Sequence, residues 1–525
     1  MRNGLSKDLI ARVLGAAPKY TIDELEVKFP PRDLPDGAFV TRFAPSPTGY
    51  MHIGGLYGAL IDYKLARQSG GVFMLRIEDT DTKREVADAV KIIVDSMHRF
   101  GLAYDNDDNY GPYYQSQRKE IYHSVAADLL ARGLAYPCFL TADDMEKIRS
   151  TQSAAGFATG IYGEFARDRD LTEAEIIAHL DKGEVSSIRL YSAGDPNKRI
   201  FCKDVVRGSI GFPENNEDIV LIKSNDGLPT YHFAHLCDDH FMRTTHVIRG
   251  EEWLPSLPLH YQLFNMMGWV PPMYIHTSTI DKIDAETGKQ RKLSKRKDPE
   301  ANVEFFLRDG WPTDAVLEYL GNIAASGYEE SKQKGMVKTF WEYEVRPKKI
   351  PMSGALFDMK KLEWWAKEYI GAMPVADLVE SVTNWAKEYG NDDNKMQVAD
   401  SKYLSAVLGI ERDNPKRVRK DFITWKQTLE NIAFFWDKLF VPATDYEFNI
   451  DVLKAFMETY NDTDDKDTWW NKIVAIAEKS GIKNGDVAMN LRVALSGRTN
   501  TPDLYSIMMV MGGDMVKERI GRIVK

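Results

Sequence analysis

The sequence predicts a parallel α/β fold, broken by a polar insert and followed by a mostly helical half. Three observations predict it. First, residues 38–43 read as a buried strand, after which Leu56, Ala59, Leu60 and Tyr63 fall at helical spacing. Second, Gly70-Gly71 stops that helix, and Val72-Phe-Met-Leu-Arg-Ile77 reads as another strand. Strand, glycine-bearing turn, helix and strand within about 40 residues make a βαβ unit, which implies parallel strands and a right-handed crossover. Third, apolar positions recur at helical spacing in 316–320, 422–435 and 504–511, so the chain beyond Glu300 is expected to be mostly helical.

Taken in order, residues 1–37 form an extension, read as an extra helix or arm leading into the turns at Pro30-Pro31 and Pro35-Asp36-Gly37. It has no apolar signal-peptide core, and Asp8, Asp23, Glu24 and Glu26 do not suit a transit peptide. Residues 38–140 carry the first half of the sheet domain. Residues 141–216 are polar, with short alternating stretches at 185–191 and 200–206, and look like an inserted subdomain. The second half, 217–299, begins with Asp218-Ile-Val-Leu-Ile-Lys223 and runs through Tyr274-Ile-His276. Two further regions, 300–370 and 371–525, complete the chain. The tracts 391–394 and 462–467 read as exposed turns, and no repeat of 20–50 residues is evident.

At 525 residues the chain is too long for one core. Its 43% hydrophobic and 28% charged content fits a globular protein and not a disordered one. No apolar run approaches the roughly 20 residues that span a bilayer, so a soluble protein with no membrane partner is expected. Cys138, Cys202 and Cys237 are few, odd in number and far apart, which argues against a disulfide framework and suits a reducing cytoplasm. The net charge of −10 weighs against a general polyanion binder but leaves room for local basic patches.

Two motifs about 240 residues apart carry the chemistry: Arg42-Phe-Ala-Pro-Ser-Pro-Thr-Gly-Tyr-Met-His-Ile-Gly-Gly55 and Lys292-Leu-Ser-Lys-Arg296. In the first, Pro45 and Pro47 stiffen a strand-to-helix turn while Gly49, Gly54 and Gly55 let backbone approach a ligand. His52 falls near the helix start, where imidazole and backbone N–H groups meet phosphate. The second motif packs three cations into five residues, a mobile charge for a departing pyrophosphate. Arg42, His52 and Glu78 all fall at the carboxyl ends of the predicted strands, where the ligand of a parallel sheet sits. There is no Gly-x4-Gly-Lys-Ser/Thr loop, which counts against a P-loop ATPase.

Together the motifs resemble the two signatures of the class I aminoacyl-tRNA synthetases. The Ala-Pro-Ser-Pro-Thr-Gly and His-Ile-Gly-Gly found here resemble the bacterial glutamyl-tRNA synthetase family; glutaminyl relatives carry Pro-Pro-Glu-Pro-Asn-Gly before His-Ile-Gly-His. The resemblance covers roughly residues 38–525 and implies a Rossmann-like catalytic domain with an α+β acceptor-stem insert, a stem-contact region and a helical anticodon-binding domain. It implies ATP with Mg2+, L-glutamate and tRNA-Glu as partners, and a monomer; a relaxed form that also charges tRNA-Gln with glutamate stays open as the alternative. By the same resemblance, His52, Lys292 and Lys295 are catalytic, the two lysines stabilising pyrophosphate. Arg42, Ser46, Glu78, Tyr231, His235 and Arg249 surround glutamate. Arg42 takes the side-chain carboxylate, Arg249 acts as a second carboxylate clamp, and Glu78 faces the ammonium group. Thr48, Gly49, His52, Gly54, Gly55, Glu252, Trp253, Ile280, Lys292, Ser294 and Lys295 surround ATP.

Asp81 reads more simply as the N-cap of the next helix, with Glu85 in its first turns. The cluster His232, His235, Cys237, Asp239 and His240 invites a metal reading. As a strand it would send those side chains to opposite faces, and no zinc is expected. Cys138 has no cysteine partner at Leu140, so the zinc module that some glutamyl enzymes carry in the insert is absent. Phe357-Asp-Met-Lys-Lys-Leu362 and Leu491-Arg-Val-Ala-Leu-Ser-Gly-Arg-Thr-Asn-Thr-Pro502 resemble the stem-contacting and anticodon-binding stretches. For Asn414-Pro-Lys-Arg-Val-Arg-Lys420, facing phosphates and starting a solvated helix stay open as equal readings. A non-catalytic tRNA-binding paralogue would not need the pyrophosphate lysines, and a generic nucleotidylyltransferase would not need the helical half.

Overall fold

The structure is a computed structural model that describes residues 3–81, 86–294, 296–413 and 418–525. The chain divides into two compact units: residues 1–303 with 320–357, and residues 304–319 with 358–525.

In the first unit, α1 (Lys7–Leu14) and α2 (Ile22–Lys28) form the N-terminal arm. Thr21 and Glu24 close a reciprocal capping box that starts α2. The βαβ unit follows as β1 (Val40–Phe43), α3 (Ile53–Gln68) and β2 (Val72–Leu75), with β1 and β2 parallel and Arg42 opposite Met74. Next come α4 (Ala89–Arg99), α5 (Lys119–Ala131), β3 (Ala135–Cys138), α6 (Ala142–Ala154) and α7 (Glu173–Asp181). The strands β4 (Ser187–Leu190), β5 (Arg199–Asp204), β6 (Gly208–Pro213) and β7 (Val220–Ile222) precede α8 (Tyr231–Phe241), β8 (His246–Gly250), α9 (Leu257–Met267) and β9 (Met273–Thr277). A small sheet closes the unit: β10 (Ile280–Ile283), β11 (Gln290–Lys292) and β12 (Ala355–Leu356).

Among the described residues these strands form four sheets, ordered β1-β2, β11-β10-β12, β3-β4-β7 and β6-β5-β9-β8. The strands within residues 141–216 do not close a sheet of their own. β4 pairs with β3 on one side and β7 on the other, while the β5–β6 hairpin joins β9, with Asp204 opposite Tyr274. The stretch read as the opening of the second half, β7, therefore belongs with β3 and β4. Thr245 N–H donates to Val40 O at 3.0 Å and Val40 N–H to Thr245 Oγ1 at 2.8 Å, which sets β1 beside the start of β8. That adjacency brings Arg42 and Arg249 to one end of the fold.

The segment 230–240 is helix α8, not a strand. Its residues are buried almost all round, so it shows no one-sided apolar pattern. Its far end is fastened by the arm: Glu26 accepts from His240 Nε2 and Arg243 Nη2, each at 2.6 Å, and Arg243 also donates to Phe29 O. Leu9, Leu25 and Phe29 share one core with Tyr122 and Leu129 of α5 and Phe241 of α8. The 1–37 extension is thus integral to the first unit.

The second unit is helical and buries a continuous apolar core. In the helix Val375–Tyr389, Leu378, Val382 and Trp385 share one face at spacings of four and three. Arg519 is sealed inside, donating to Asp437 and to the carbonyls of Phe434 and Leu495. In the cationic run at 414–420, residues 414–417 lie outside the described residues. Arg419 pairs with Asp421 at 2.6 Å and Lys420 with Glu368 at 2.7 Å, so both are already engaged. Among the described residues, no helix is long and apolar enough to cross a membrane. All three cysteines are buried and free.

Candidate active site

A cavity of about 920 Å³ opens where β1, α3, α8 and β8 converge. The first motif builds one wall. Glu78 N–H donates to Pro45 O at 3.0 Å, tying the proline-rich turn to the end of β2. His52 is the N-cap of α3, and its Nδ1 accepts from Gly54 N–H at 3.0 Å. In a neutral imidazole an accepting Nδ1 places the proton on Nε2, so the cap fixes Nε2 as a donor. Beyond it, α3 presents Gly54, Gly55, Gly58 and Asp62 to the cavity.

The floor is a buried charge network. Asp239 accepts from Arg42 Nε at 3.0 Å, Arg76 Nη1 at 2.7 Å and Thr244 Oγ1 at 3.1 Å. Burial opposes its charge, but the two arginines prevail and hold Asp239 well below the usual carboxylate range. Arg76 also reaches Glu78 at 3.2 Å, while burial lifts Glu78 above its ordinary value. Asp62 is pushed up strongly by burial, and its Oδ1 has no hydrogen-bond partner. Arg118 and Tyr122 hold the neighbouring Asp238, which also accepts from Gln115 at 2.9 Å.

Arg249 forms the opposite wall. Its guanidinium donates to His276, His260, Tyr231 and the Trp253 carbonyl, and the Tyr231 and Trp253 rings pack 4.5 Å apart. Glu252 and Lys292 meet across the mouth at 2.9 Å. Gly250 makes room for this: a Cβ there would stand 2.0 Å from Glu252 Oε2.

Of the residues expected from the sequence, Arg42, Ser46, His52, Gly54, Gly55, Glu78, Tyr231, Arg249, Glu252, Trp253, Ile280 and Lys292 line this one cavity. Four do not. Thr48 and Gly49 turn the chain before α3, Gly49 with φ +134°. Ser294 anchors the second motif through its N–H to Asp298 at 2.8 Å, beneath which Arg291 also pairs with Asp298. His235 is wholly buried behind the cavity. Its Nδ1 lies 2.7 Å from Asp239, its Nε2 contacts Tyr274 OH at 3.0 Å, and burial pushes its pKa down to about 4. It is a support for Asp239 and not a wall of the cavity. Lys295 lies outside the described residues. Asp81 lines the cavity; the next described helix, α4, starts at Ala89, and residues 82–85, where the expected cap and Glu85 fall, lie outside the described residues.

Asp62, Arg76, His260 and His276 were not singled out from the sequence, and Asp239 entered only as a member of the cluster that invited a metal reading. The signal for the first two was a lone charge inside an apolar run, Leu60-Ile-Asp62 and Met74-Leu-Arg76. Such charges are kept when buried partners meet them. Among the described residues, no group of three or more His, Cys, Asp or Glu side chains is arranged to hold a metal ion.

Comparison with known proteins gives the family. Residues 38–364 match the family "tRNA synthetases class I (E and Q), catalytic domain", and residues 377–524 match "Anticodon binding domain". A glutamate–tRNA ligase of Clostridium perfringens (strain 13) is 43% identical over 98% of this chain and 99% of its own. One from Sorangium cellulosum is 40% identical over 97% of this chain and 98% of its own. The crystal structure of a glutamate tRNA ligase from Elizabethkingia meningosepticum, in complex with its amino acid, superposes with a TM-score of 0.78 at 27% identity, covering 93% of this chain and 99% of that one. On the sequence, the cavity and these likenesses together, the chain belongs to the glutamate–tRNA ligases of the class I tRNA synthetase family.

Proposed function

We propose that the chain activates L-glutamate with ATP and passes the glutamyl group to the 3′-terminal adenosine of tRNA-Glu. The observation that carries this reading is that His52 and Lys292, from motifs about 240 residues apart, line one cavity with Arg42, Glu78 and Arg249. In the first step a glutamate α-carboxylate oxygen attacks the α-phosphorus of ATP, the α–β bridging bond breaks and pyrophosphate leaves. His52 Nε2–H donates to the α-phosphate as charge builds there. Lys292, with Lys295 from the same motif, neutralises the leaving pyrophosphate. Arg42 and Arg249 are the cationic contacts for a dicarboxylic substrate, and Glu78 faces its ammonium group. In the second step the terminal ribose 2′-OH attacks the glutamyl carbonyl and AMP departs. Positioning and charge do the work, with no protein nucleophile.

Mg2+, when bound with ATP, would offset charge on the phosphates and would need only one or two carboxylates from the protein; among the described residues no group of three or more His, Cys, Asp or Glu side chains is arranged to hold a metal ion. The buried free cysteines support a reducing cytoplasm, and a monomer is expected by light scattering.

The test supplies ATP and glutamate or glutamine with separate tRNA-Glu and tRNA-Gln transcripts and measures charged product. Glutamate transfer to tRNA-Glu is expected. Transfer to neither tRNA overturns the reading, and transfer to both selects the relaxed form. Lys295→Ala should suppress adenylate formation while leaving tRNA affinity nearly intact.

A further inference from the structure

We infer that Asp204 and His276 are positioning residues for glutamate, acting through Arg249. The inference rests on the reading above that Arg249 meets a substrate carboxylate. Arginine is protonated at every working pH, so the His276 Nε2 that lies 2.9 Å from Arg249 Nε must accept. His276 therefore carries its proton on Nδ1, which donates to Asp204 Oδ2 at 2.8 Å. Asp204 is itself fixed: it also accepts from the N–H groups of His276 at 3.0 Å, Val206 at 2.9 Å and Arg207 at 2.8 Å. Three groups on three adjacent strands, β5, β9 and β8, thus form a carboxylate–imidazole–guanidinium line with all members buried.

The second ring against Arg249 obeys the same logic. His260 Nδ1, 3.3 Å from Arg249 Nη1, accepts, and its Nε2 then donates to His232 Nδ1 at 3.0 Å. Every partner of the guanidinium is therefore a neutral acceptor, and among the described residues no carboxylate forms an ion pair with Arg249. Arg42, by contrast, is paired directly with Asp239. The difference has a purpose that chemistry supplies. A carboxylate touching Arg249 would compete with the incoming one, whereas a carboxylate set back by one imidazole orients the fork and leaves its charge for the substrate. The Tyr274 ring, 5.0 Å below the guanidinium, keeps it level without adding charge.

The test separates the acceptor from the donor of the same ring. His276→Asn keeps a donor near Asp204 and loses the acceptor for Arg249; His276→Gln keeps an oxygen near the Arg249 side. A hydrogen bond from a charged donor corresponds to roughly a ten- to hundredfold change in an equilibrium constant. His276→Asn should raise the KM for glutamate by about that factor, with the KM for ATP and kcat within about threefold. His276→Gln should recover most of the loss, and Asp204→Asn should raise the glutamate KM in the same direction. If His276→Asn does not fold, Asp204→Asn decides. The inference is overturned if folded His276→Asn and Asp204→Asn leave the glutamate KM unchanged, or if the KM values for ATP and glutamate rise together as kcat falls. Arg249→Lys is the control: an unchanged glutamate KM there sinks the role of Arg249 itself, a different failure.

Discussion

Arg42 is held by Asp239, Nε to Oδ1 at 3.0 Å, with both side chains sealed from solvent. Since Asp239 also neutralises Arg76, its charge stands against two buried cations. Asp239→Asn leaves those cations undercompensated, and breaking a buried pair costs about 3–5 kcal/mol. The expected result is a lower urea midpoint together with a higher glutamate KM. An unchanged midpoint contradicts the network.

His52 has two duties that substitutions can divide. As N-cap it satisfies Gly54 N–H; as a donor it faces the cavity. Asparagine can cap and alanine cannot, so His52→Ala should lose about 1 kcal/mol of stability that His52→Asn keeps. Both should slow adenylate formation by roughly 10²–10³-fold, the effect of removing one oriented donor from a developing charge. Thermal melts alongside adenylate assays check both halves.

Gly58 lies inside α3 on the cavity face, and a Cβ there would touch nothing within 4 Å. Gly58→Ala should raise stability by about 0.5–1 kcal/mol, because alanine loses less backbone freedom in a helix. The added methyl projects into space assigned to substrate, so the KM for ATP or glutamate should rise. A more stable variant with unchanged kinetics would place the substrates elsewhere.

Burial holds His232, His235 and His246 at pKa values of about 4, below the ordinary 6.5. Above pH 6.5 these rings are neutral folded or unfolded and contribute nothing to pH dependence. Between pH 6.5 and 4 the unfolded chain takes up protons that the folded chain refuses, so stability falls as pH falls, by up to ~3 kcal/mol for each ring. Melting temperatures measured from pH 7.5 to 4.5 should decline from just below pH 6.5. A flat profile down to pH 5 would mean that these rings are charged in the fold.

The βαβ unit was legible because its signals are local: a glycine-stopped helix between two apolar strands, each within about 20 residues. Helix α8 was not. Its polar residues are buried beside partners far along the chain, Asp239 with Arg42 and Asp238 with Arg118, at separations of 197 and 120 residues. Periodicity registers solvent on one side of an element, and α8 has almost none. Of the side chains named from the motifs, Arg42, Ser46, His52 and Lys292 line the cavity. His235 stands one layer behind that lining, and Thr48, Gly49 and Ser294 lie in the turns beside it. Sequence spacing does not distinguish touching a ligand from holding the residue that touches it.

The arm that fastens α8 has a consequence in time. Glu26, between Leu25 and Phe29, leaves the ribosome 214 residues before its partner His240. At about 5–20 residues per second that is a wait of roughly 10–40 s. Throughout it, α2 carries an apolar face that α5 covers only in part. The segment 22–29 therefore waits through a long stretch of synthesis for the helix that it fastens.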